Sequence, residues 1–503
     1  MQVLNPFRQR ALLAFALFSL SLAACKKDEA TVTPDTNTTT GQAVEVTEVK
    51  TNTTWTASNK YLLKGYVYVR SGATLTIEPG TIIKGDKDTK GSLIVEPGAK
   101  LIAAGTAAKP IVFTSNQPKG SRNYGDWGGV ILAGNAPVNS IVAGVKPVVE
   151  GGPTTTYGGT DPADNSGTLQ YVRIEFGGIA FSPNNEVNGL TLCAVGSGTT
   201  LDHIQVSYSG DDSYEWFGGT VNAKYLIAHR GYDDDFDTDN GFSGKVQFAV
   251  SLRDPLQADQ SGSKAFESDN DANASDNLPK TSAVFSNVTV IGPLNNISNV
   301  GGISSQYVSA AHIRRNSAQS IMNSVLVGYP AGILLDHTKT GANVASNDLR
   351  FQNNIIAGMA AGTAATRNQK NIIYLGPAGG AGSLTPTSAM SADTAVFGAM
   401  AGPLTWLYKP SNANKRYTNA DEVRLLNPFS LTAPSFLPLT TSPIVYTSTT
   451  NANPVVAPAF TDSKVSDSFF TRTSYIGAFS GSGQSSENWA TGWTNFDPQN
   501  TDY

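Results

Sequence analysis

Acidic side chains recur at a fixed step in the middle of the chain, between residues 201 and 241. The alignment of Leu201–Val206 with Ala223–Ala228 sets a 22-residue step. That step places three acids of one copy over three acids of the next: Asp211 over Asp233, Asp212 over Asp234 and Glu215 over Asp237. A period in the low twenties with a β-rich run in each copy indicates a solenoid of stacked parallel strands. Stacked strands lie about 4.8 Å apart, so carboxylates in register need a cation, an arginine partner or raised pKa values.

The chemistry that this stretch suits best is the binding of Ca²⁺, which takes about six to eight oxygen ligands in flexible geometry. The candidate metal ligands are eight carboxylates: Asp211, Asp212, Glu215, Asp233, Asp234, Asp235, Asp237 and Asp239. The alternating acids of 235–239 begin like an EF-hand loop, but Val246 stands where that loop needs Glu, so the stretch is not an EF-hand. One alternative stays open: Arg230 and Arg253, at equivalent positions of successive repeats, neutralise the acids instead.

Aromatic side chains lie among the acids and are candidates for ligand binding. Sugar rings stack on aromatic faces, because such rings join an apolar body to a polar edge. The candidate ligand-binding residues are Tyr214, Trp216, Tyr232, Arg230 and Arg253. The alternative for the aromatic residues is stacking inside the coils. We assign no catalytic residue from the sequence.

Strand and turn signals continue on both sides of the acidic stretch. Leu75–Ile83 and Leu93–Leu101 form an 18-residue repeat and share Glu-Pro-Gly, in which alternating aliphatic residues predict strands and Pro-Gly predicts the corner between them. The low charged fraction of 15% and the 49 glycines suit short strands joined by many turns. We therefore predict an all-β solenoid, a parallel β-helix, over residues 55–365.

The last part of the chain, residues 366–503, is predicted to form C-terminal coils and an irregular cap. Its tail is rich in aromatic residues. We expect this tail to cover the last coil, because an open edge strand invites self-pairing. The two longest insertions follow Val250 and Val290, and insertions in a solenoid usually crowd one face and build its binding surface.

The N-terminus reads as a targeting segment, with a predicted signal peptide at residues 1–24. Two arginines precede the 14-residue apolar run Ala11–Ala24, and the sequence Leu-Ala-Ala-Cys that ends at Cys25 resembles the lipobox of bacterial lipoproteins. This resemblance implies that Cys25 becomes the acylated, palmitate-carrying N-terminus; the alternative is an ordinary secretory signal. Residues 25–54 are predicted to be a disordered tether. The charged run Lys26–Glu29 resembles the export signal of Bacteroidota surface lipoproteins, which implies an outer-membrane protein facing the cell exterior.

The strand and corner motifs from Gly65 to Gly134 resemble those of Bacteroidota surface lipoproteins with a right-handed parallel β-helix. That family has a pectate-lyase-like fold, and most members have no assigned activity. Polygalacturonases share the fold, but Gly210-Asp211-Asp212 and Asp237-Thr238-Asp239 stand here in the reverse of the polygalacturonase order. This departure argues against glycoside hydrolysis by paired carboxylates.

The resemblance implies a surface lipoprotein, and the acidic stretch adds a Ca²⁺ site. Together they predict a lipoprotein that binds an extracellular ligand, which we expect to be a glycan, beside that site. One alternative is a Ca²⁺-dependent polysaccharide lyase or another glycan-active enzyme. The other is a structural component of an outer-membrane assembly with outer-membrane protein partners. The formal net charge of −5 argues against nucleic acid as a partner. Ligand identity, oligomeric state and catalysis stay open at this point.

Overall fold

Parallel β-strands dominate the structure. The computed structural model describes residues 43–182, 185–296, 298–360, 371–375, 403–445, 458–481 and 488–503. The predicted signal peptide, Cys25 and the predicted tether up to residue 42 lie outside the described residues. In the described part of the chain, 26 strands form one continuous parallel sheet that winds into a solenoid, and two small antiparallel pairs accompany it. None of the helices in the described residues has the length and hydropathy of a membrane-spanning segment.

The strands are short, and most span three to ten residues. In chain order they are β1 Val44–Val49, β2 Thr53–Trp55, β3 Lys60–Val69, β4 Thr74–Ile77, β5 Ile82–Gly85, β6 Ser92–Val95, β7 Lys100–Ala104, β8 Ile111–Ser115, β9 Gly129–Ala133, β10 Gly167–Glu175, β11 Ile179–Ser182, β12 Asn185–Val187, β13 Leu190–Cys193, β14 Thr200–Ser207, β15 Tyr214–Phe217, β16 Asn222–His229, β17 Phe236–Asp239, β18 Lys245–Leu252, β19 Phe266–Ser268, β20 Val284–Ile291, β21 Ser309–Ile313, β22 Ser320–Met322, β23 Val325–Val327, β24 Ala331–Leu335, β25 Phe351–Gln352, β26 Ile355–Ala357, β27 Ile372–Tyr374, β28 Lys415–Tyr417, β29 Leu425–Asn427 and β30 Ser435–Pro438. The α-helices are α1 Thr338–Ala345 and α2 Pro403–Leu407, and short 3₁₀ turns cover Val300–Gly302, Pro410–Asn412, Ala420–Val423 and Pro498–Asn500.

Each coil contributes to three strand stacks, which we call sheets 1, 2 and 3. Sheet 1 contains β2, β4, β7, β22 and β25, and sheet 2 contains β5, β8, β23, β26 and β28. The long strands β10, β14, β16, β18 and β20 cross from sheet 1 into sheet 2. Sheet 3 runs through β6, β9, β13, β15, β17, β19, β21, β24 and β27. Strands β1 and β3 cross from sheet 2 into sheet 3.

The corner between sheets 1 and 2 is a stack of residues with left-handed backbone. Tyr171, His203, Tyr225 and Phe248 have φ values of 48°, 53°, 60° and 62°, and their rings stack with centroids 4.3, 4.3 and 5.2 Å apart. Asparagines with φ between 51° and 57° occupy the next three corners: Asn287, Asn323 and Asn353. Ring stacking offsets the cost of left-handed backbone in the first group, and asparagine tolerates that conformation in the second.

The register confirms the repeat predicted for the acidic stretch. Leu201 pairs with Ala223, and Glu215 pairs with Asp237. The shorter repeat near the N-terminus is not a coil step, because Leu75 pairs with Leu101 and not with Leu93. The first segment passes from sheet 1 to sheet 2 and the second from sheet 3 to sheet 1, so the repeat reflects successive corners of the winding and not stacked strands.

The boundaries of the solenoid differ from those predicted. The region predicted to be tether includes β1 and most of β2, since Val44 already pairs with Tyr61 of β3. In the described part of the chain, the aromatic tail lies along the outer side of sheet 2 and not across the last coil. Its contacts run back along the axis: Ala478 N–H donates to Thr289, Asn495 N–H to Gln205, and the Lys84 side chain reaches the backbone of Tyr503. The outward residues of sheet 2 are apolar, among them Ile227, Val250 and Val325, so they need this cover.

Candidate metal-binding site

Strict alternation along sheet 3 separates core residues from cleft residues. On strands β15, β17 and β19, the aromatic side chains of Tyr214, Phe236 and Phe266 point inward and are fully buried. The next residue on each strand points outward, which forms a column in which Glu215 pairs with Asp237 and Asp237 with Glu267. The β-strand period of two therefore places one acid per coil on the same outer face.

The turns before these strands supply further acids. Asp211 and Asp212 precede β15, and Asp233 and Asp234 precede β17 at equivalent positions. The Asp234 N–H donates to Asp212 Oδ1 at 2.7 Å, and the Asp233 N–H donates to the Asp211 carbonyl at 3.5 Å. We call Asp211, Asp212 and Glu215 the first rung of an acid ladder, and Asp233, Asp234 and Asp237 its second rung.

The ladder lines an open cleft of about 180 Å³. Nine carboxylates but only two cationic side chains surround it. The lining residues are Glu150, Glu186, Asp211, Asp212, Glu215, Asp233, Asp234, Asp237, Ser261, Lys264, Glu267 and Arg314. Glu150 comes from the long segment between β9 and β10, and Glu186 comes from β12. These two segments therefore add negative charge to the cleft.

Three groups of acids bring carboxylate oxygens within 4.8 Å of one another. They are Asp211 with Asp212 and Asp233, Asp212 with Glu215 and Asp237, and Asp234 with Asp237 and Glu267. Asp212 belongs to the first two groups, and Asp237 to the last two. The Oδ1 atom of Asp237 is buried and has no hydrogen-bond partner. All donors are carboxylate oxygens, so the arrangement suits a hard cation such as Ca²⁺.

Burial and mutual repulsion raise the pKa values of the ladder acids. The pKa of Asp211 lies well above its ordinary value because of burial and then of Asp233, and the pKa of Glu215 does so because of burial and then of Asp237. Burial raises the pKa of Asp233 to about 6, and burial next to Glu186 raises the pKa of Glu150 to about 7. These acids bind protons more tightly than free carboxyl groups do, which is the signature of negative charge without enough counter-charge.

The opposite end of the cleft carries its own cations. Arg314 pairs with Glu267 and donates to Asp269 from Nε at 2.9 Å, while Arg315 donates to Asp269 at 2.6 Å. Lys264 pairs with Glu267 and lies 3.4 Å from Asp234. Burial alone raises the pKa of Glu267, but Arg314 and Lys264 more than offset burial and hold that pKa below its ordinary value.

Two of the eight predicted metal ligands do not line the cleft. Asp235 points into the body, where its carboxylate pairs with Arg253 at 2.7 Å and both side chains are fully buried. Arginine pairing, the alternative left open by the sequence, is therefore what Asp235 does. Asp239 lies on the outer side of β17 beyond the lining residues, and burial next to Asp269 raises its pKa to about 8. The other six predicted ligands are the two rungs of the ladder.

The predicted ligand-binding residues are dispersed. Tyr214 and Trp216 are fully buried in the core, so the prediction that they stack a ligand is wrong and the alternative of interior stacking holds. Arg253 is likewise buried, and it is neutralised by Asp235. Arg230 pairs with Asp254 at 2.5 Å and lies over the ring of Tyr208.

Tyr232 is half-buried and packs 6.0 Å from Tyr124 on the face next to the ladder, so it is the one predicted aromatic residue with a ring near the surface.

Sequence reasoning did not assign Glu150, Glu186 or Lys264 to the site. Glu150 and Glu186 arrive from insertions that carry no period. Lys264 had a usable signal, since it lies three residues before Glu267 as Asp234 lies three before Asp237. The longer spacing between those two coils hid the equivalence.

A comparison with protein families agrees with the observed architecture. A family model described as a pectate-lyase-like β-helix domain matches residues 47–395, which is more than half of the 503 residues. A search of curated proteins found no match, and a search of solved structures found none either. The resemblance drawn from the strand and corner motifs is thereby confirmed at the level of the fold. The chain belongs to the pectate-lyase-like β-helix family.

Proposed function

We propose that the protein binds an extracellular glycan and holds Ca²⁺ in the acidic cleft. The observation that carries the proposal is the pair of rungs, in which six carboxylates stack on adjacent coils with their oxygens within 4.8 Å in overlapping groups. Calcium takes about six to eight oxygen ligands and tolerates irregular geometry, so it fits these donors. The three acid groups contain neither histidine nor cysteine, which disfavours softer metals.

The shape of the cleft supports a role in ligand binding. It is open to solvent, and its volume of about 180 Å³ exceeds the need of bound ions alone. A cation on the ladder would present free coordination positions toward the opening, where an acidic sugar could supply oxygens. Because the walls are negatively charged, an acidic glycan would bind there only with the cation in place. The pectate-lyase-like fold is compatible with a function that involves glycans.

We propose binding without cleavage. A lyase needs a base beside the cation, and the cationic residues that line the cleft are Lys264 and Arg314. Burial lowers the pKa of Lys264, but Asp234 and Glu267 more than offset burial and hold that pKa above its ordinary value. Glu267 and Asp269 hold the pKa of Arg314 well above its ordinary value in the same way. Neither side chain gives up its proton readily, so neither suits the role of a base.

Calorimetry and thermal unfolding test the metal site on the mature chain carrying Cys25→Ser. Ca²⁺ is expected to bind and to raise the melting temperature, and Asp211→Asn combined with Asp233→Asn is expected to remove that increment. The exposed acids Asp88 and Asp421 provide the matched control, Asp88→Asn combined with Asp421→Asn, which should keep it. A wild-type chain whose melting temperature ignores Ca²⁺ would refute the proposal.

Incubation with acidic polysaccharides tests the proposal that the protein binds a glycan without cleaving it. We expect Ca²⁺-dependent binding without new absorbance near 235 nm, the wavelength of unsaturated uronides. Product that forms with Ca²⁺ and disappears with EDTA would replace binding by lyase activity.

We further propose that the protein is a lipoprotein of the outer membrane that faces the cell exterior. The support is the sequence around Cys25, which lies outside the described residues. Labelling with a palmitate analogue should mark the wild-type chain and not Cys25→Ser, and protease added to intact cells should degrade it. Co-purification of outer-membrane proteins in stoichiometric amount would favour the alternative of a structural component of an assembly.

A further inference from the structure

The coil that follows the second rung carries the same positions but different side chains. Asp237 pairs with Glu267, so the equivalents of Asp233 and Asp234 on that coil are Ser263 and Lys264. This third rung keeps the outward acid of the strand and replaces the two acids of the turn. The ladder therefore ends here by a change of residue type and not by a change of backbone.

The backbone contact that links the rungs is repeated at Lys264. The Asp234 N–H donates to Asp212 Oδ1 at 2.7 Å, and the Lys264 N–H donates to Asp234 Oδ1 at 2.5 Å. Lys264 thus occupies the same place relative to Asp234 as Asp234 occupies relative to Asp212. Its side chain is only 6% exposed and turns into the cleft.

The ammonium group of Lys264 lies at the third group of carboxylates. That group consists of Asp234, Asp237 and Glu267. Lys264 Nζ pairs with Glu267 and lies 3.4 Å from Asp234 Oδ2, so it contacts two of the three acids. Arg314 approaches Glu267 through the other carboxylate oxygen, Oε1, and continues to Asp269. The third group already holds a cation, and that cation is part of the chain.

No salt bridge among the described residues reaches the carboxylates of the first two groups in the way that Lys264 reaches the third. Among the described residues, the salt bridges of the cleft involve Asp234 and Glu267 and none of Asp211, Asp212 and Glu215. An Asn188 side-chain N–H donates to Glu215, which bounds the ladder on its other side with a neutral donor.

We propose that Lys264 is a built-in cation that fills the third of three consecutive cation positions and so confines metal ions to the first two. This inference rests on the proposed function, because it assigns the first two positions to Ca²⁺. Asp212, shared by both groups, then bridges the two ions. Lysine sets the number of ions bound and the end of the metal array along the solenoid.

Counting bound ions tests the proposal, with ⁴⁵Ca²⁺ equilibrium dialysis on the mature chain carrying Cys25→Ser. The cleft has three groups of carboxylates and Lys264 fills one of them, so this parent chain should bind two ions. The Lys264→Met chain should bind one more. Lys264→Arg keeps the charge and should retain the parent count. Lys245 pairs with Asp467 outside the cleft, so Lys245→Met is the matched control and should also retain the parent count.

The outcomes separate the two proposals. A parent chain that binds Ca²⁺ together with a Lys264→Met chain that gains no ion would overturn the role of Lys264 and leave the proposed function intact. A parent chain that binds no Ca²⁺ would overturn the proposed function, and with it the assignment of the first two positions to metal ions.

If Lys264→Met does not fold, Lys264→Asp extends the acid ladder by one residue, and we expect it to fold only when Ca²⁺ is present. A Lys264→Asp chain that folds equally well in EDTA would overturn the proposal.

Discussion

The second and third rungs of the ladder lie on adjacent coils of sheet 3, yet their carboxylates experience opposite electrostatic surroundings. Asp237 and Glu267 are paired in register, and both face the same cleft. Burial and then the charge of Glu267 raise the pKa of Asp237 well above its ordinary value. Burial acts on Glu267 too, but Arg314 and Lys264 bring its pKa below the ordinary value. Backbone position is the same, so the cations supplied by the chain make the difference.

This contrast shows two ways to stack like charges in a β-solenoid. At the third rung the chain supplies its own cations, Lys264 and Arg314, and the acids stay paired whether or not a metal ion is present. At the first rung, and at Asp233 and Asp237 of the second, no salt bridge of the described residues supplies a cation, and these acids depend on protons or on an ion from solvent. The first arrangement stabilises the fold under all ion concentrations. The second makes the stability of the fold depend on the concentration of the ion that binds there.

The largest effect is expected from removing a cation of the third rung. Arg314→Met should lower the free energy of unfolding by about 3 kcal/mol, because it strips a partner from both Glu267 and Asp269 inside the body. Urea denaturation in EDTA measures the loss. Arg315 is 33% exposed and pairs with Asp269 alone, so Arg315→Met is the control and should cost less than about 1 kcal/mol. Equal losses of unfolding free energy in the two variants would show that Arg314 does not stabilise the third rung as its contacts indicate.

Neutralising one carboxylate should change the free energy of unfolding in opposite directions on the first and third rungs. In EDTA, Asp212→Asn should raise the free energy of unfolding by about 1 kcal/mol, since it removes one of several repelling charges. Asn keeps an oxygen to accept from the Asp234 N–H. Glu267→Gln should lower the free energy of unfolding, because Lys264 and Arg314 lose their shared partner.

Saturating Ca²⁺ should reverse the first result. The wild type gains about 2.7 kcal/mol at a hundredfold excess over the Kd, and Asp212→Asn gains little. A loss of stability for Asp212→Asn in EDTA would contradict the assignment of uncompensated charge to this rung.

The sequence carried the first two rungs in full, because one constant step between copies and the period of two along a strand place Asp211, Asp212 and Glu215 over their equivalents. The same alternation in Tyr214-Glu215-Trp216 also required that Tyr214 and Trp216 face the core if Glu215 faces outward. What the sequence did not show was the third rung, since the insertion before Glu267 lengthens the spacing and removes Lys264 from the repeat. The contribution of Glu150 also stayed hidden, since it depends on how a long insertion folds back on the cleft.

The pH dependence of the metal-free protein should be unusual in sign. Free carboxyl groups have pKa values near about 4, whereas burial raises those of Asp233 and Asp239 to about 6 and about 8. Between the free value and these raised values, the folded state therefore binds more protons than the unfolded state. The stability that Asp233 and Asp239 contribute is lost as pH rises through their folded-state pKa values. The melting temperature in EDTA should fall from pH 5 to pH 8, and Ca²⁺ should oppose the fall, because its binding displaces protons.

Asp211→Asn combined with Asp233→Asn should make the melting temperature in EDTA depend less on pH. A melting temperature that rises over this range in EDTA would count against uncompensated acids.

The smallest effect is expected at the rim of the cleft. Glu150 belongs to none of the three oxygen groups and lies on the insertion, where burial and Glu186 raise its pKa to about 7. Its charge attracts a cation without contacting it, so Glu150→Gln should weaken Ca²⁺ binding less than about fivefold, the size of a single surface charge interaction. Calorimetry at two ionic strengths measures this, and the difference between variant and wild type should shrink at high salt, because screening removes a long-range attraction before it removes direct ligation. Complete loss of binding in Glu150→Gln would make Glu150 a ligand and would shift the metal site from the rungs toward the insertion.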